Sequence, residues 1–208
     1  MKFNAFCTDF SILGAYDRMN LCGAKNVNAD KRINVFAEFY PNVEGNIYIP
    51  TMCDEDMFAD ACDYILSGGG SRRAIVRCAY SLDETGYIEA KYKLSPVMLL
   101  HKLGMLDKVE IAGGVCLDND DLDLMAQEGV PLIVTPTASA GYGHGFAPVC
   151  AAVRRGVRVG VGTFDNKYNT QCDLGIELEF LRLTANAEMR AENALSESEL
   201  NFISAYEI

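Results

Sequence analysis

The second half of the chain alternates short apolar runs with amphipathic segments. Residues 109–112 and 131–135 are apolar runs of the length and composition of buried strands. Between them, residues 118–129 carry apolar side chains at the i, i+3, i+4 spacing of a helix. Asp118 is suited to cap the start of this helix, and Gly129 is suited to end it. The pattern therefore predicts a strand–helix–strand unit.

The same alternation extends in both directions. Further strands are predicted at residues 46–50, 74–79 and 157–163, and further helices at residues 54–66, 87–106 (broken before Pro96), 147–155 and 173–187. A glycine-rich loop is predicted to follow the strand at 131–135, and a last helix opens at Ser196. The first 43 residues carry the weakest pattern, with a helix predicted near 10–19 and a strand near 33–39.

Strands that alternate with helices at intervals of about 25 residues indicate an α/β protein with a parallel sheet. About five strands are readable from residue 46 onward, whereas a (β/α) barrel has eight and usually needs roughly 250 residues. Two architectures remain open at this point. One is an open, doubly wound sheet, and the other is an incomplete barrel.

Composition narrows the class of protein. Half of the 208 residues are hydrophobic and 23% are charged, which favours one folded domain over residues 1–208. No apolar stretch approaches the ~20 residues that span a bilayer, and residues 1–9 do not resemble a secretory signal. We therefore expect a cytoplasmic protein without a membrane partner. Because 29 acidic residues outnumber 18 basic ones, a nucleic-acid partner is also disfavoured.

Eight cysteines and two histidines offer little support for a structural metal site. No C-x-x-C pair is present, so neither a zinc site nor a redox motif is predicted. Cys78 and Cys150 lie in apolar stretches and are expected in the core as small hydrophobic residues.

Functional residues of parallel α/β barrels lie on the loops that follow the strands. Here those loops fall at residues 80–84, 113–116, 137–144 and 164–169. The candidate binding side chains on them are Asp83, Thr137, Ser139 and Asn169, and the candidates for chemistry are Cys116, His144 and Asp165. His144 stands between two glycines on an exposed loop. Its imidazole is suited to titrate near neutrality, to pair with a Cys116 nucleophile, or simply to be solvated on a turn.

Several segments resemble a known family. Residues 92–106 (YKLSPVMLLHKLGML), 135–139 (TPTAS), 143–149 (GHGFAPV) and 156–163 (GVRVGVGT) follow one another in its order and spacing. They are similar to Y-G-x-S-P-V-x-x-L-x-x-L-G-L-L, N-P-T-S-N, G-x-G-x-A-P-V and A-G-V-x-V-x-L-G-T in metal-dependent amidohydrolases of the aminohydrolase/deaminase branch. The resemblance covers roughly residues 46–203. It implies the carboxyl-terminal part of a (β/α) TIM-type barrel with parallel strands, incomplete at its amino-terminal end.

The resemblance also places other side chains where the family has its catalytic ones. Arg77 stands in place of a histidine, and Tyr80 in place of the catalytic glutamate. Gly113 and Cys116 replace two histidines, Phe164 replaces the aspartate of G-T-D, and the H-x-H of the first strand has no counterpart. A catalytic zinc or iron needs such imidazoles and a carboxylate to hold it and to activate water. The resemblance thus implies no metal site, and zinc or iron only if a partner chain supplies the ligands.

Three functional hypotheses follow from the resemblance. The first is an amidohydrolase-like domain that has lost metal-dependent C–N bond hydrolysis and serves to bind a small molecule or another protein. The second is a hydrolase whose missing ligands come from a partner chain. The third is a non-hydrolytic enzyme that uses Cys116, His144 or Asp165. Because an incomplete barrel exposes strand edges, we expect a homo- or hetero-oligomer that completes the barrel.

Overall fold

The computed structural model describes residues 48–50, 62–63, 66, 74–163, 167–170 and 173–188. The predictions for the first 43 residues and for the helix at Ser196 lie outside the described residues. So does Asp165. Of the helix predicted at 54–66, residues 62, 63 and 66 are described and are helical.

The described chain alternates strands and helices. In chain order the elements are β1 (Tyr48–Pro50), β2 (Ala74–Cys78), α1 (Leu82–Tyr92), α2 (Pro96–Lys102), β3 (Val109–Gly113), α3 (Asn119–Glu128), β4 (Leu132–Val134), α4 (Pro136–Gly141), α5 (Val149–Arg154), β5 (Val159–Val161) and α6 (Leu174–Glu188). A single turn of 3₁₀ helix, Leu106–Lys108, precedes β3.

The five strands form one parallel sheet in the order β1-β2-β3-β4-β5. A doubly wound sheet reverses its strand order at a switch point, whereas a barrel adds each strand beside the previous one. The sequential order therefore selects the barrel architecture from the two that the sequence left open. The expected fold class, a partial (β/α) barrel with parallel strands, is confirmed.

Local sequence signals set the helix ends. The side chain of Asp118 accepts a hydrogen bond from the backbone N–H of Asp121, whose own side chain reaches back to form a capping box. Gly129 ends this helix in the left-handed conformation with φ of 64°. Ser95, an extended residue before Pro96, caps α2 and separates it from α1, as the proline predicted.

Two predicted loops contain helices instead. The loop predicted at 80–84 ends early, because Ser81 caps a helix that begins at Leu82. The prediction of a glycine-rich loop directly after β4 was wrong, since Pro136–Gly141 is helical. Proline at the first helical position and two alanines favour this short helix, and the glycines at 143 and 145 begin only after it.

The core lies between the sheet and the surrounding helices. Strand residues such as Val76, Ile111 and Leu132 pack with helix residues such as Leu122 and Met125, all at most 1% exposed. Cys78 and Cys150 are buried in this core, as predicted. Within the described residues, no helix is both long enough and apolar enough to cross a membrane.

Candidate ligand site at the carboxyl ends of the strands

The loops that follow β2 and β3 are joined by main-chain hydrogen bonds. The backbone N–H of Gly114 donates to the carbonyl of Cys78 at 3.0 Å, and that of Cys116 donates to the carbonyl of Ala79 at 2.8 Å. The two loops therefore lie side by side at the mouth of the barrel. Side chains from both loops, from the segment after β4 and from residues 167–170 form the candidate site.

Gly113, at the end of β3, lies against Tyr80. It has a φ of +98°, a conformation that side-chain-bearing residues rarely adopt. A Cβ atom at this position would lie 2.6 Å from the Cβ and 3.2 Å from the Cα of Tyr80. The space in which a side chain at position 113 would begin is thus occupied by the neighbouring loop.

Arg77 in β2 and Tyr80 on the following loop form a cation–π pair. The guanidinium carbon of Arg77 lies 4.0 Å from the centre of the Tyr80 ring. On the same ring, the imidazole of His144 makes an edge contact, with ring centres 5.4 Å apart and an angle of 89° between the planes. This arrangement brings the predicted candidate His144 together with Arg77 of β2 and with Tyr80 on the loop that follows it.

The aromatic contacts continue beyond His144. Its ring stacks on Tyr142 at 5.9 Å, and Tyr142 meets Tyr168 edge to face at 5.0 Å. The ammonium of Lys167 lies over both tyrosines, 4.5 Å from the centre of Tyr142 and 4.8 Å from that of Tyr168. A Cβ atom on Gly141 would overlap the Tyr168 ring, so the glycine provides the surface on which this ring lies.

The charge state of His144 follows from its surroundings. Partial burial and the nearby positive charge of Arg77 lower the pKa of His144, while Asp83 acts in the opposite direction. The imidazole is therefore neutral at pH 7, where it is suited to ring stacking and to either role in a hydrogen bond.

The side chain of Glu84 holds the backbone at Tyr80 through a hydrogen bond. Its side chain is fully buried, and one carboxylate oxygen accepts a hydrogen bond from the backbone N–H of Tyr80 at 2.8 Å. Burial raises the pKa of Glu84 to about 7, although the backbone N–H of Tyr80 and the charge of Arg77 oppose the rise. Glu84 thus determines where the loop after β2 sits.

Cys116 lies on the loop after β3, partly buried. Burial raises the pKa of its thiol, and the nearby carboxylates of Glu84 and Glu89 act in the same direction, whereas a hydrogen bond with Thr85 lowers it. Since the thiolate is the nucleophilic form, this environment keeps Cys116 weakly reactive at neutral pH.

Two predicted binding residues contact a buried glutamate. Thr137 donates to Glu177 through its hydroxyl and, at 3.1 Å, through its backbone N–H. The side-chain amide of Asn169 donates to the same carboxylate at 3.0 Å, and to the carbonyl of Asp173 at 2.7 Å. Glu177 and Asn169 are buried. This network ties α4, the loop at 167–170 and α6 together.

The other predicted binding residues lie apart from these contacts. Ser139 is buried on α4, 3.4 Å from the hydroxyl of Thr135, and its carbonyl accepts the backbone N–H of His144 at 2.9 Å. Asp83 is exposed in the first turn of α1, close enough to influence the charge of His144.

The described side chains at this mouth do not fit a catalytic metal. Among the described residues, no three His, Cys, Asp or Glu side chains come together as a metal site. Arg77 brings a permanent positive charge to the end of β2, and a cation beside a cation is unfavourable. At the end of β3, Gly113 has no side chain to coordinate anything.

Sequence reasoning did not select several residues of this mouth as candidates, namely Glu84, Tyr142, Lys167 and Tyr168. For Glu84 a signal was present, because Ser81-Leu82-Asp83-Glu84 has the S-x-x-E pattern of a helix start. The two tyrosines and Lys167 carried no such signal. Their proximity depends on the loops after β4 and β5, whose paths the residue pattern does not determine.

Curated relatives match more than half of the chain. It is 30% identical over 127 residues to a 5-methylthioadenosine/S-adenosylhomocysteine deaminase of Caldicellulosiruptor saccharolyticus, which covers 61% of this chain and 30% of that protein. A deaminase of the same description from Halothermothrix orenii is 30% identical over 128 residues, 61% of this chain and 29% of its own length. The chain thus spans about 30% of the length of these relatives. No family model matches it.

Solved structures of low sequence identity share the fold. An adenosine deaminase from Xanthomonas campestris with bound zinc aligns with a TM-score of 0.67 at 18% identity, over 96% of this chain and 44% of that chain. Atrazine chlorohydrolase from Arthrobacter aurescens, complexed with zinc, aligns with a TM-score of 0.67 at 20% identity, over 96% and 52%. The sequence relatives and the sequential parallel strands support the resemblance to the metal-dependent amidohydrolase superfamily, and these alignments show the same barrel fold.

Proposed function

We propose that this chain is an amidohydrolase-like domain that binds a small molecule at the barrel mouth without metal-dependent hydrolysis. One observation carries the proposal. At Gly113 the backbone has a φ of +98°, and the site of a Cβ atom is taken by the Cβ of Tyr80 at 2.6 Å. A metal-binding side chain at the end of β3 therefore has neither a favourable backbone nor space.

The charge distribution gives a second line of support. Arg77 occupies the end of β2, with its guanidinium on the Tyr80 ring. A guanidinium offers only N–H donors and no acceptor atom, so it does not coordinate a cation. What remains at the mouth is a set of rings and hydrogen-bonding groups, which suits recognition of a ligand rather than activation of water.

The test is a paired measurement of metal content and of ammonia release. The purified chain is incubated with zinc or ferrous iron, desalted and analysed by mass spectrometry. It is then assayed for ammonia release from 5-methylthioadenosine and S-adenosylhomocysteine, with the Caldicellulosiruptor deaminase as the active control. We expect no ammonia from this chain. Stoichiometric zinc or iron together with ammonia release would overturn the proposal.

A second candidate function is hydrolysis in a complex whose partner chain supplies the missing metal ligands. It is favoured by the names of the relatives, which are deaminases. Co-purification from the native source distinguishes the two. A stable complex that contains zinc and releases ammonia supports this second function, and a complex that does neither supports the first.

We also expect the chain to associate with itself or with another protein. β1 and β5 are the outer strands of the described sheet, and strand edges readily pair with further chain. Sedimentation at several protein concentrations measures the association directly. A monomer at all concentrations, with no partner in the native source, contradicts the expectation.

A further inference from the structure

The loop after β2 consists of Ala79, Tyr80 and Ser81, and it leads to Glu84, which is fully buried. The backbone N–H of Tyr80 donates to one oxygen of the Glu84 carboxyl group, Oε2, at 2.8 Å. The other oxygen, Oε1, is buried and has no hydrogen-bond partner in the described part of the chain. The carboxyl group thus holds the loop through one oxygen and encloses the other without a donor.

Ala79 gives this loop a strained backbone. Its φ is 49°, in the left-handed region that residues with a side chain rarely adopt. Ala79 is also fully buried. A backbone of this kind persists only where the surrounding contacts hold it. The conformation of the loop therefore depends on the few contacts that its residues make.

Three contacts hold the loop in place. The backbone N–H of Cys116 donates to the carbonyl of Ala79 at 2.8 Å. Tyr80 lies against Gly113, where an added Cβ atom would come within 2.6 Å of the Tyr80 Cβ. The third contact is the hydrogen bond from Tyr80 to Glu84. The first two involve uncharged atoms, so only the contact with Glu84 changes when that carboxyl group loses its proton.

The surroundings of Glu84 favour its protonated form. Burial raises the pKa of Glu84 to about 7, and this effect exceeds the opposing effects of the nearby backbone amides and of Arg77 on β2. The thiols that face Glu84 are Cys78 on β2 and Cys116 on the loop after β3. Burial raises the pKa of both thiols, so they carry no charge at pH 7. Within the described residues, Arg77 is thus the charged side chain that stabilises an ionised Glu84, and it does not offset the burial.

Three further carboxylates act on these neighbours rather than on Glu84. Asp121 on α3 acts on the thiol of Cys78, and Glu89 on α1 acts on the thiol of Cys116. Asp83, exposed in the first turn of α1, acts on the imidazole of His144. None of the three is among the groups that shift the pKa of Glu84.

We propose that the loop after β2 is a pH-sensitive switch controlled by Glu84: the protonated carboxyl group keeps the loop against Gly113, and its ionisation opens the loop. A carboxylate is more stable in water than in a closed interior, so an open loop that hydrates Glu84 is favoured once the proton has left. Opening moves Tyr80 away from Gly113 and uncovers the end of β3. The switch goes beyond the proposed function, because it requires neither a ligand nor a metal.

The direction of the switch follows from linkage between opening and proton release. The closed loop holds the pKa of Glu84 at about 7, whereas the ordinary value of 4.5 applies when the group is hydrated. The open population therefore rises as the pH increases between these two values. Above about pH 7 the closed form is ionised as well, and the open population becomes independent of pH.

Hydrogen exchange of the Cys116 amide measures the opening, since this N–H is bonded to Ala79 of the loop. Exchange of an open amide accelerates about tenfold per pH unit, and the linked opening adds about another tenfold below pH 7. When the loop recloses faster than the amide exchanges, the logarithm of the rate should rise with a slope of about 2 from about pH 5 to pH 7. Above pH 7 the slope should be about 1. A slope of 1 over the whole range overturns the proposal.

Glu84→Gln removes the titrating proton and keeps the size of the side chain. Its amide oxygen can still accept the Tyr80 N–H, so the slope for Cys116 should be about 1 at every pH. Asp121→Asn is the matched control, because Asp121 is also a buried carboxyl group whose pKa burial raises, to about 6. This control should keep the slope of about 2. A slope of 2 that survives in Glu84→Gln, or is lost in Asp121→Asn, refutes the assignment to Glu84.

The amide of Ile111 in β3 distinguishes local opening from unfolding of the whole chain. It donates to the carbonyl of Pro131 in the core of the sheet, and Ile111 is fully buried. At about pH 6 the Cys116 amide should exchange at least about tenfold faster than the Ile111 amide. Equal rates would show that the loop opens only when the whole chain unfolds, and the switch would be refuted.

Discussion

A Cβ atom added to Gly113 would lie 2.6 Å from the Cβ atom of Tyr80. This close approach places the end of β3 against the loop after β2. Tyr80 lies where it does only while residue 113 lacks a side chain, and the φ of +98° at Gly113 favours glycine for a second reason. A histidine at position 113 is therefore expected to disturb the mouth of the barrel.

Gly113→His should destabilise the fold by about 3 kcal/mol or more, because a strained backbone and a steric overlap add together. Urea denaturation followed by circular dichroism measures this loss. Gly86→Ala is the matched control, since Gly86 is inside α1 and no atom lies within 4 Å of its Cβ position. That variant should be neutral or up to about 1 kcal/mol more stable. Similar unfolding midpoints for the two variants would contradict the steric argument.

Glu84 should make stability depend on pH. Because burial raises its pKa to about 7 in the folded state, the folded protein holds a proton there that the unfolded chain has released. This contribution to stability is complete below the ordinary pKa of 4.5 and is lost as the pH rises through about 7. Asp121, whose pKa burial raises to about 6, adds to the same trend at lower pH.

Glu84→Gln should flatten this pH dependence and make the protein more stable than the wild type at about pH 8, because the amide oxygen still accepts the Tyr80 N–H without a buried charge. Thermal unfolding across the pH range measures the difference. Glu89→Gln, on the exposed face of the same helix, is the control and should retain the wild-type slope. An unchanged slope in Glu84→Gln would show that its carboxyl group does not titrate in this range.

Glu177 should contribute more to the free energy of unfolding than Glu179, an exposed residue on the same helix. Replacement by alanine leaves the donors of Thr137 and Asn169 without their acceptor inside the protein, which costs about 2–4 kcal/mol. Glu179→Ala removes an exposed carboxylate from the same helix and should change stability by less than about 0.5 kcal/mol. Urea unfolding of both variants gives the comparison. Equal, small effects would mean that the network contributes nothing to α6.

Cys116 should alkylate slowly at neutral pH, since its environment raises the pKa of its thiol. Peptide mass spectrometry after iodoacetamide treatment gives the rate at this residue. His144→Ala should leave that rate unchanged within about twofold, because each residue interacts with a different set of neighbours. A tenfold decrease in His144→Ala would instead support a Cys116–His144 nucleophile pair.

The sequence predicted the scaffold better than the site. Strands, the N-cap at Asp118 and the break before Pro96 follow from local patterns, which is why they were confirmed. The helix at Pro136–Gly141 was not anticipated, because the glycines beyond it suggested a longer loop. The contacts among Tyr80, His144, Tyr142 and Tyr168 could not be predicted, for a different reason. Tyr80 and Tyr168 are 88 residues apart in the chain, and only the folded loops bring both to one His144–Tyr142 stack.

The hydrogen bonds from Gly114 to Cys78 and from Cys116 to Ala79 involve main-chain atoms alone. Apart from the steric limit at Gly113 and the bond from Tyr80 to the Glu84 side chain, these contacts use atoms that every residue type other than proline supplies. Selection for folding and selection for chemistry thus act on different atoms at this mouth. A backbone held in this way tolerates changes in many of the side chains at this mouth without a change of fold.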